Sequence, residues 1–352
     1  MRINKTNEGK YEVYMKVLLG MSGGLDSTYA AVRLREMGYE VEGAVLRMHE
    51  YTEIKEAEDS ANALGIPLHV VDCREVFKKC VIDNFATEYL SARTPNPCII
   101  CNAEVKLRML YETAKALGIE KIATGHYARV VKTEAGYAVA RGVDQKKDQS
   151  YMLWRVGEDI LGALVLPLCD LEKSDIREEA REMSLSAADR AESQEICFIP
   201  DNDYASYIEN NYAKCSEGDF VSPDGEVLGR HKGILHYTVG QRRGLGVAAG
   251  ERVFITEINA ENNTITLSKK GEGAKDTFRI TDLVFSGMDK RDSGSLDAYV
   301  KTRYHAPLSH VTVTFEGDGA TVRFNDEPKL VTPGQSAVFY DDDTVLFGGF
   351  IV

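Results

Sequence analysis

Leu18-Leu19-Gly20-Met21-Ser22-Gly23-Gly24-Leu25-Asp26-Ser27 is the stretch whose reading decides the fold. The apolar run from Val17 to Met21 has the length and composition of a short buried strand. It stops at Ser22-Gly23-Gly24. A helical pattern follows, with Ala30, Ala31, Val32 and Leu34 on its apolar face and Gly38 as the stop signal. Strand, glycine turn and helix start together make a phosphate-binding geometry. Glycines let backbone N–H groups come close, and the unpaired amides and dipole of the helix start favour negative charge.

Neither a Walker A loop, G-x-x-x-x-G-K-[ST], nor G-x-G-x-x-G is present at this turn. Ser22 to Ser27 instead resembles the pyrophosphate loop (PP-loop) of the ATP pyrophosphatase superfamily. That resemblance implies ATP held by Gly20, Met21, Ser22, Gly23, Gly24, Leu25, Asp26 and Ser27. It further implies cleavage between the α and β phosphates, leaving an adenylate on the substrate.

The chain has 352 residues, enough for two or three domains. Its 43% hydrophobic and 28% charged content is ordinary for a globular protein. No run of about 18 apolar residues is found, so no membrane partner is expected. The first twenty residues lack the apolar core of an export signal, and the expected location is cytoplasmic. Seven cysteines, an odd number, argue against a secreted disulfide framework. A net charge of −13 argues by itself against nucleic acid as partner. The charge is uneven, however. Val227 to Gly250 holds no Asp or Glu but carries Arg230, Lys232, Arg242 and Arg243 with His231 and His236, a local basic stretch able to meet RNA.

Up to about residue 125 strands and helices alternate. Val41 to Leu46, Leu68 to Val71 and Lys121 to Thr124 read as strands; Ala57 to Leu64 and Val105 to Leu117 read as helices. The pattern predicts an α/β fold, a doubly wound parallel sheet with ligands beyond the carboxyl ends of its strands, where Gly20–Ser27 and Gly125-His126 both fall. From about 215 glycines and turns multiply. A small linking domain is expected there, and strong alternation after 276 predicts an antiparallel β-barrel or sandwich. The expected division is 1–207 for the PP-loop domain, 208–275 for a small central domain and 276–352 for a C-terminal β-barrel.

Thr94-Pro95-Asn96-Pro97-Cys98-Ile99-Ile100-Cys101-Asn102 is the second informative stretch. Two prolines predict an extended approach that sets two thiols just before a helix, where a helix start would lower a thiol pKa. A zinc half-site, a redox dithiol, an iron–sulfur ligand pair and a structural role are the competing readings. No second C-x-x-C exists to complete a structural zinc site. A third cysteine, Cys197, lies in Ala191–Ile199.

Taken together, several segments resemble the tRNA-uridine 2-sulfurtransferases, the tRNA 2-thiouridylases. They are TPNPxxxCN, GHYA (Gly125 to Ala128), KDQSYxL (Lys147 to Leu153), the Cys197 segment, Tyr237 to Gly246, Arg303-Tyr304 and Val331 to Val338. The match runs from about Lys16 to the C-terminus in one order. It implies ATP-dependent adenylation, with Mg²⁺, of O2 of a wobble uridine in tRNA, then sulfur attack at C2 with loss of AMP. By motif position Cys101 is the nucleophile, and Cys197 carries a persulfide received from a cysteine desulfurase or a sulfur-relay protein. Leu46 and Gly125 line the ATP site. Asn96, Pro97 and Cys98 cradle the target base. His126, Lys147, Asp148, Gln149, Arg303, Tyr304 and Gln335 contact tRNA, joined by Arg242 and Arg243 of the basic stretch.

Many relatives carry Asp where this chain has Cys98. Three cysteines, Cys98, Cys101 and Cys197, suit a [4Fe–4S] cluster with one open iron that binds sulfide; in the persulfide reading Cys98 is a tolerated variant. The alternative functions are another PP-loop tRNA thiolase, an amidating ligase with the same loop, an iron–sulfur-dependent relative using bound sulfide, and a redox protein that merely binds nucleotide.

Overall fold

A computed structural model gives the structure, and it describes residues 2–5, 11–189, 196–247, 250–289 and 294–352. The chain divides into two compact units. The first comprises Met1–Cys80, Cys98–Phe198 and Asp343–Val345; the second comprises Val81–Pro97, Ile199–Asp342 and Leu346–Val352.

The first unit is built on a sheet. β1 (Arg2–Lys5) pairs antiparallel with β2 (Tyr11–Gly20), which leads through the glycine turn into α1 (Leu25–Glu36). β3 (Tyr39–Arg47), α2 (Ile54–Leu64), β4 (Leu68–Asp72) and β5 (Lys121–Ala123) follow. A hairpin of β6 (Ala128–Thr133) and β7 (Gly136–Arg141) and the short β8 (Leu164–Val165) come next. Strand order is β4-β3-β2-β5-β8, with every pairing along it parallel. The chain winds from β2 to β3 on one side and later returns to β5 on the other. Between β2 and β5 lies the topological switch point of a doubly wound sheet, the place where such folds bind ligands.

Both faces are covered. Val17, Leu19 and Met21 alternate toward one face and pack with Leu25, Tyr29, Ala30, Ala31 and Leu34 of α1 and with Ile176 and Ala180 of the helix Lys173–Glu182. On the other face a side chain at Gly20 would meet Leu110 of the helix Leu107–Ala116. Burying such a Leu or Val contributes about 1.5–3 kcal/mol each, and these contacts hold the glycine turn to the sheet edge. Val32, expected on the apolar face with Ala30, Ala31 and Leu34, is only half-buried, because at about 100° per residue it lies on the opposite side of α1 from Leu34.

The second unit holds two small β structures. β9 (Gly218–Val221), β10 (Val227–His231), β11 (Val253–Asn259) and β12 (Thr264–Lys269) form a four-stranded sheet in the order β10-β9-β12-β11. Its core gathers Phe220, Tyr237, Val239, Leu245, Ile255, Ile265 and Leu267. β13 (Thr277–Phe285), β14 (Ser295–Lys301), β15 (Ser309–Glu316), β16 (Gly319–Phe324), β17 (Ser336–Asp341) and β18 (Thr344–Ile351) run in the order β13-β16-β15-β14-β17-β18. β13 also pairs with β18, closing the barrel around Val311, Val313, Val322, Phe339 and Phe347. The sequence left barrel and sandwich open; closure decides for the barrel.

Candidate active site

The glycine turn is folded on itself by hydroxyls. Ser22 N–H donates to Ser27 Oγ (3.2 Å), and the two serine hydroxyls share a hydrogen bond at 3.2 Å. Ser27 Oγ and Thr28 Oγ1 donate to the carbonyl of Gly24 at 3.1 and 2.9 Å. Gly24 is the N-cap of α1 and supplies no side-chain cap. The first-turn amides of α1 thus keep the unpaired character that suits an anion.

Two glycines are obligatory. Gly23 has φ +82°, and a Cβ there would lie 2.4 Å from the backbone carbon of Glu56. A Cβ on Gly125 would lie 2.8 Å from the backbone carbon of Asp26, so only glycine lets β5 and the start of α1 meet. Gly20–Ser27 and Gly125 are therefore joined in space at the switch point. Leu46 stands at the carboxyl end of β3, almost fully buried.

Asp26 is held from two sides. Tyr127 Oη donates to its Oδ1 at 2.7 Å, and Lys173 Nζ lies 2.9 Å from its Oδ2. The Lys173 side chain is 11% exposed, and its ammonium sits 5.7 Å from the centre of the Tyr127 ring. Neither partner was expected from the sequence. Tyr127 lay unassigned inside the GHYA motif, and Lys173 carried no signal at all.

His126 is buried, its Nδ1 2.8 Å from Thr124 Oγ1. Burial, helped by the charge of Lys106, pushes its pKa down to about 3, so the imidazole is neutral at physiological pH. Of Lys147, Asp148 and Gln149, the middle residue faces inward and is 3% exposed. Asp148 Oδ1 accepts from Gly142 N–H (3.2 Å) and Ser150 N–H (3.1 Å), and its Oδ2 accepts from Ser150 Oγ (2.9 Å). Lys147 and Gln149 are half-buried.

The thiols depart from expectation. Pro97 starts a helical turn (Pro97–Ile100) that runs straight into a π-helical turn, Cys101–Lys106, and then into Leu107–Ala116. Proline suits the first turn of a helix, where its missing N–H costs nothing. Cys101 is consequently inside the helix rather than ahead of it, and no helix-start effect lowers its pKa. It is 7% exposed, with Sγ 3.7 Å from Met48 Sδ. Burial pushes its thiol up to about 12; nearby Cys197 and Cys98 add to this, and the Lys106 charge and amide oppose it. Cys98 is exposed, and so is Cys197, whose thiol is nonetheless pushed up to about 11 by the protein packed around it and by Cys98. Residues 191–195 of the Cys197 segment lie outside the described residues. Phe198, next to Cys197, packs edge-on against Phe77 at 5.7 Å.

In the second unit Arg303 Nη2 donates to the carbonyl of Val239 at 2.8 Å and also to Thr332 Oγ1. Arg303 is thereby set against the turn that carries Arg242 and Arg243, both exposed. The Tyr304 and His305 rings are 4.5 Å apart. Gln335 Nε2 donates to the carbonyl of Thr94 (2.7 Å), and Thr94 N–H donates to the carbonyl of Pro333. The Val331–Gln335 turn thus fixes the start of the segment that carries Asn96 and Pro97, both half-buried.

Among the described residues no three His, Cys, Asp or Glu side chains stand together so as to hold a metal ion. No described helix is long and apolar enough to cross a membrane.

Three family models match in register with these structures: a tRNA methyl transferase HUP domain over residues 15–201, a tRNA methyl transferase PRC-barrel domain over 206–269, and an aminomethyltransferase β-barrel domain over 275–351. The tRNA-specific 2-thiouridylase MnmA of Clostridium acetobutylicum is 40% identical over 352 residues, covering 96% of this chain and 99% of its own. The chain belongs to the tRNA-specific 2-thiouridylase family. The same-named protein of Carboxydothermus hydrogenoformans is 42% identical over 355 residues, covering 96% of this chain and 97% of its own. Membership spans both units, so the PP-loop turn, the cysteines and the C-terminal barrel all fall within the 2-thiouridylase match.

Proposed function

We propose that this chain is an ATP-dependent tRNA-uridine 2-sulfurtransferase. The observation that carries the reading is the near full-length relationship to 2-thiouridylases, joined to a glycine turn whose Gly125–Asp26 contact no other residue type permits. ATP lies on Gly20–Ser27, with Leu46 and Gly125 lining its site, and the uracil O2 attacks the α phosphate as pyrophosphate leaves. The outer sulfur of a Cys197 persulfide then attacks C2 and AMP departs. Cys101 Sγ attacks Cys197 Sγ and breaks the S–S bond, so that C2 keeps the sulfur and a Cys101–Cys197 disulfide is left for an external thiol to reduce. Cys101 acts as nucleophile, and Cys197 receives sulfur from a cysteine desulfurase or a relay protein. Asn96, Pro97 and Cys98 cradle the flipped base. His126, Lys147, Asp148, Gln149, Arg242, Arg243, Arg303, Tyr304 and Gln335 hold the tRNA. Asp148 and Gln335 contribute to this by shaping the segments that carry the other contacts. The working parts follow the division 1–207, 208–275 and 276–352, and the compartment is the cytoplasm.

Mg²⁺ fits this site. It is usually held by one or two carboxylates together with substrate phosphates, and Asp26 supplies a carboxylate at the loop. Cys98, Cys101 and Cys197 are close enough for the neighbouring thiols to raise the pKa of Cys101 and Cys197, a donor set of the kind a [4Fe–4S] cluster takes. Among the described residues, however, no group of three stands together so as to hold a metal ion, and the persulfide route is the reading favoured. No step is routed through iron.

The test incubates the protein with ATP, a persulfide donor and unmodified tRNA, then digests the RNA. 2-Thiouridine is expected, from iron-free protein and not from Cys101→Ser. Full thiolation by Cys101→Ser would overturn the nucleophile assignment, and activity strictly proportional to bound iron would overturn the persulfide route. ATP cleavage with no tRNA dependence would favour a nucleotide-binding enzyme of another kind.

A further inference from the structure

Both carboxylate oxygens of Asp26 lead, by separate chains of hydrogen bonds, to opposite ends of one loop. The first chain runs through Tyr127. Its Oη donates to Asp26 Oδ1, its N–H donates to Gln149 Oε1 at 2.9 Å, and its carbonyl accepts from Gln149 N–H at 2.7 Å. The second runs through Lys173. Its Nζ holds Asp26 Oδ2, and its N–H donates to Asp144 Oδ2 at 3.1 Å. Asp144 Oδ1 in turn accepts from Lys146 N–H (3.0 Å) and Lys147 N–H (3.2 Å). The result is a closed ring: Asp26, Tyr127, Gln149, the loop back to Asp144, Lys173, and Asp26 again.

We propose that Tyr127 and Asp144 are positioning residues that lock the loop Asp144–Gln149 to Asp26, so that nucleotide and tRNA bind cooperatively. The proposal rests on the nucleotide and RNA roles proposed for Asp26, Lys147 and Gln149. Tyr127 is buried, so its ring cannot swing to absorb a shift at either end. A shift of Lys147 and Gln149 on contact with tRNA is therefore passed through Tyr127 and Lys173 to the carboxylate beside the phosphate loop. The placement of that carboxylate is then already set when nucleotide arrives, which is positive cooperativity. By linkage the effect is reciprocal, so ATP tightens tRNA by the same factor. A ring that only braced the fold would change stability and leave that factor alone.

The experiment measures the affinity of unmodified tRNA with and without α,β-methylene-ATP, which cannot be cleaved between its α and β phosphates. In the wild type the analogue should tighten tRNA by about 5- to 20-fold. Tyr127→Phe keeps the ring and both backbone bonds to Gln149 but loses the bond to Asp26. The factor should fall to within about twofold of one, with the melting temperature recording any loss of fold. An unchanged factor in Tyr127→Phe, or no coupling in the wild type, overturns the proposal. Hydrogen exchange on the wild type gives a second reading that needs no variant: the analogue alone should slow exchange of the Lys146, Lys147 and Gln149 amides several-fold. Unaltered exchange there also overturns it. Protein that binds the analogue but no tRNA overturns the proposed function itself, a result distinct from independent binding of the two.

Discussion

Lys173 Nζ lies 2.9 Å from Asp26 Oδ2, although the two residues are 147 positions apart in sequence. The cation is largely shielded from water and the carboxylate is partly so, which makes this pair worth more than a surface ion pair. Removing the ammonium leaves Asp26 uncompensated beside a site for phosphates. Lys173→Gln should lower kcat/KM for ATP by about 10- to 100-fold in pyrophosphate release, a loss of roughly 1.4–2.8 kcal/mol. Because Asp26→Asn breaks the same pair, the double variant should lose less than the product of the two single losses. Multiplicative losses would show that the two act separately.

Gly125→Ala tests the contact between β5 and α1. The new methyl would sit 2.8 Å from the backbone carbon of Asp26, and backbone cannot give way as a flexible side chain can. Nucleotide binding, followed by calorimetry, should be lost or weakened more than tenfold, with overpacking destabilisation of about 1–3 kcal/mol in a urea melt. Undiminished nucleotide affinity would mean that the loop and Gly125 are not one site.

Thiol reactivity should follow burial. Cys101 is buried with its thiol pushed up to about 12, while Cys98 is exposed. Since the thiolate is the reactive form, iodoacetamide at pH 8 should label Cys98 well before Cys101 when peptides are resolved by mass spectrometry. Labelling of Cys101 first would contradict the packing against Met48.

The neutral, buried His126 sets a pH dependence. Its pKa is near 3 in the folded chain against 6.5 for an ordinary histidine. Between those values the unfolded chain binds the proton first, so stability is full above pH 6.5 and falls as the pH drops through this window. At pH 5 the loss should be about 2 kcal/mol, from 1.36 kcal/mol per pH unit. Urea midpoints at pH 7.5 and pH 5 measure it. His126→Asn should lower stability at both pH values but flatten the difference between them; parallel losses in wild type and variant would refute the assignment.

The sequence carried the sheet well because its signals are local. Val17–Met21, Val41–Leu46 and Leu68–Val71 each announce a strand, and the observed strands differ from them mainly at their ends. The helix around Cys101 was misjudged for an equally local reason. Pro95 and Pro97 read as an extended approach, yet Pro97 is a favourable first helical residue, and the helix start expected near Val105 lies upstream of Cys98 instead. The reversal of thiol pKa follows from that shift and from burial, which no spacing rule reports. Lys173 and Tyr127 were invisible for another reason: their shared partner Asp26 is brought to them by the switch point of the sheet, and nothing in a single chain's order marks a contact of that range.

One consequence of the closed barrel concerns the last strand. β18 is hydrogen-bonded to β13 through Ile280↔Ile351, Thr281↔Phe350, Val284↔Gly348 and Phe285↔Phe347, so along these residues each strand covers the flank of the other. Clipping Leu346–Val352 would bare the flanks of β13 and β17 and uncover Phe339 and Phe285, which rest against Phe347. An apolar sheet with two open margins is a template for aggregation. Leu346–Val352 thus act as a seal, and a deletion that removes them should convert the barrel into an aggregating element.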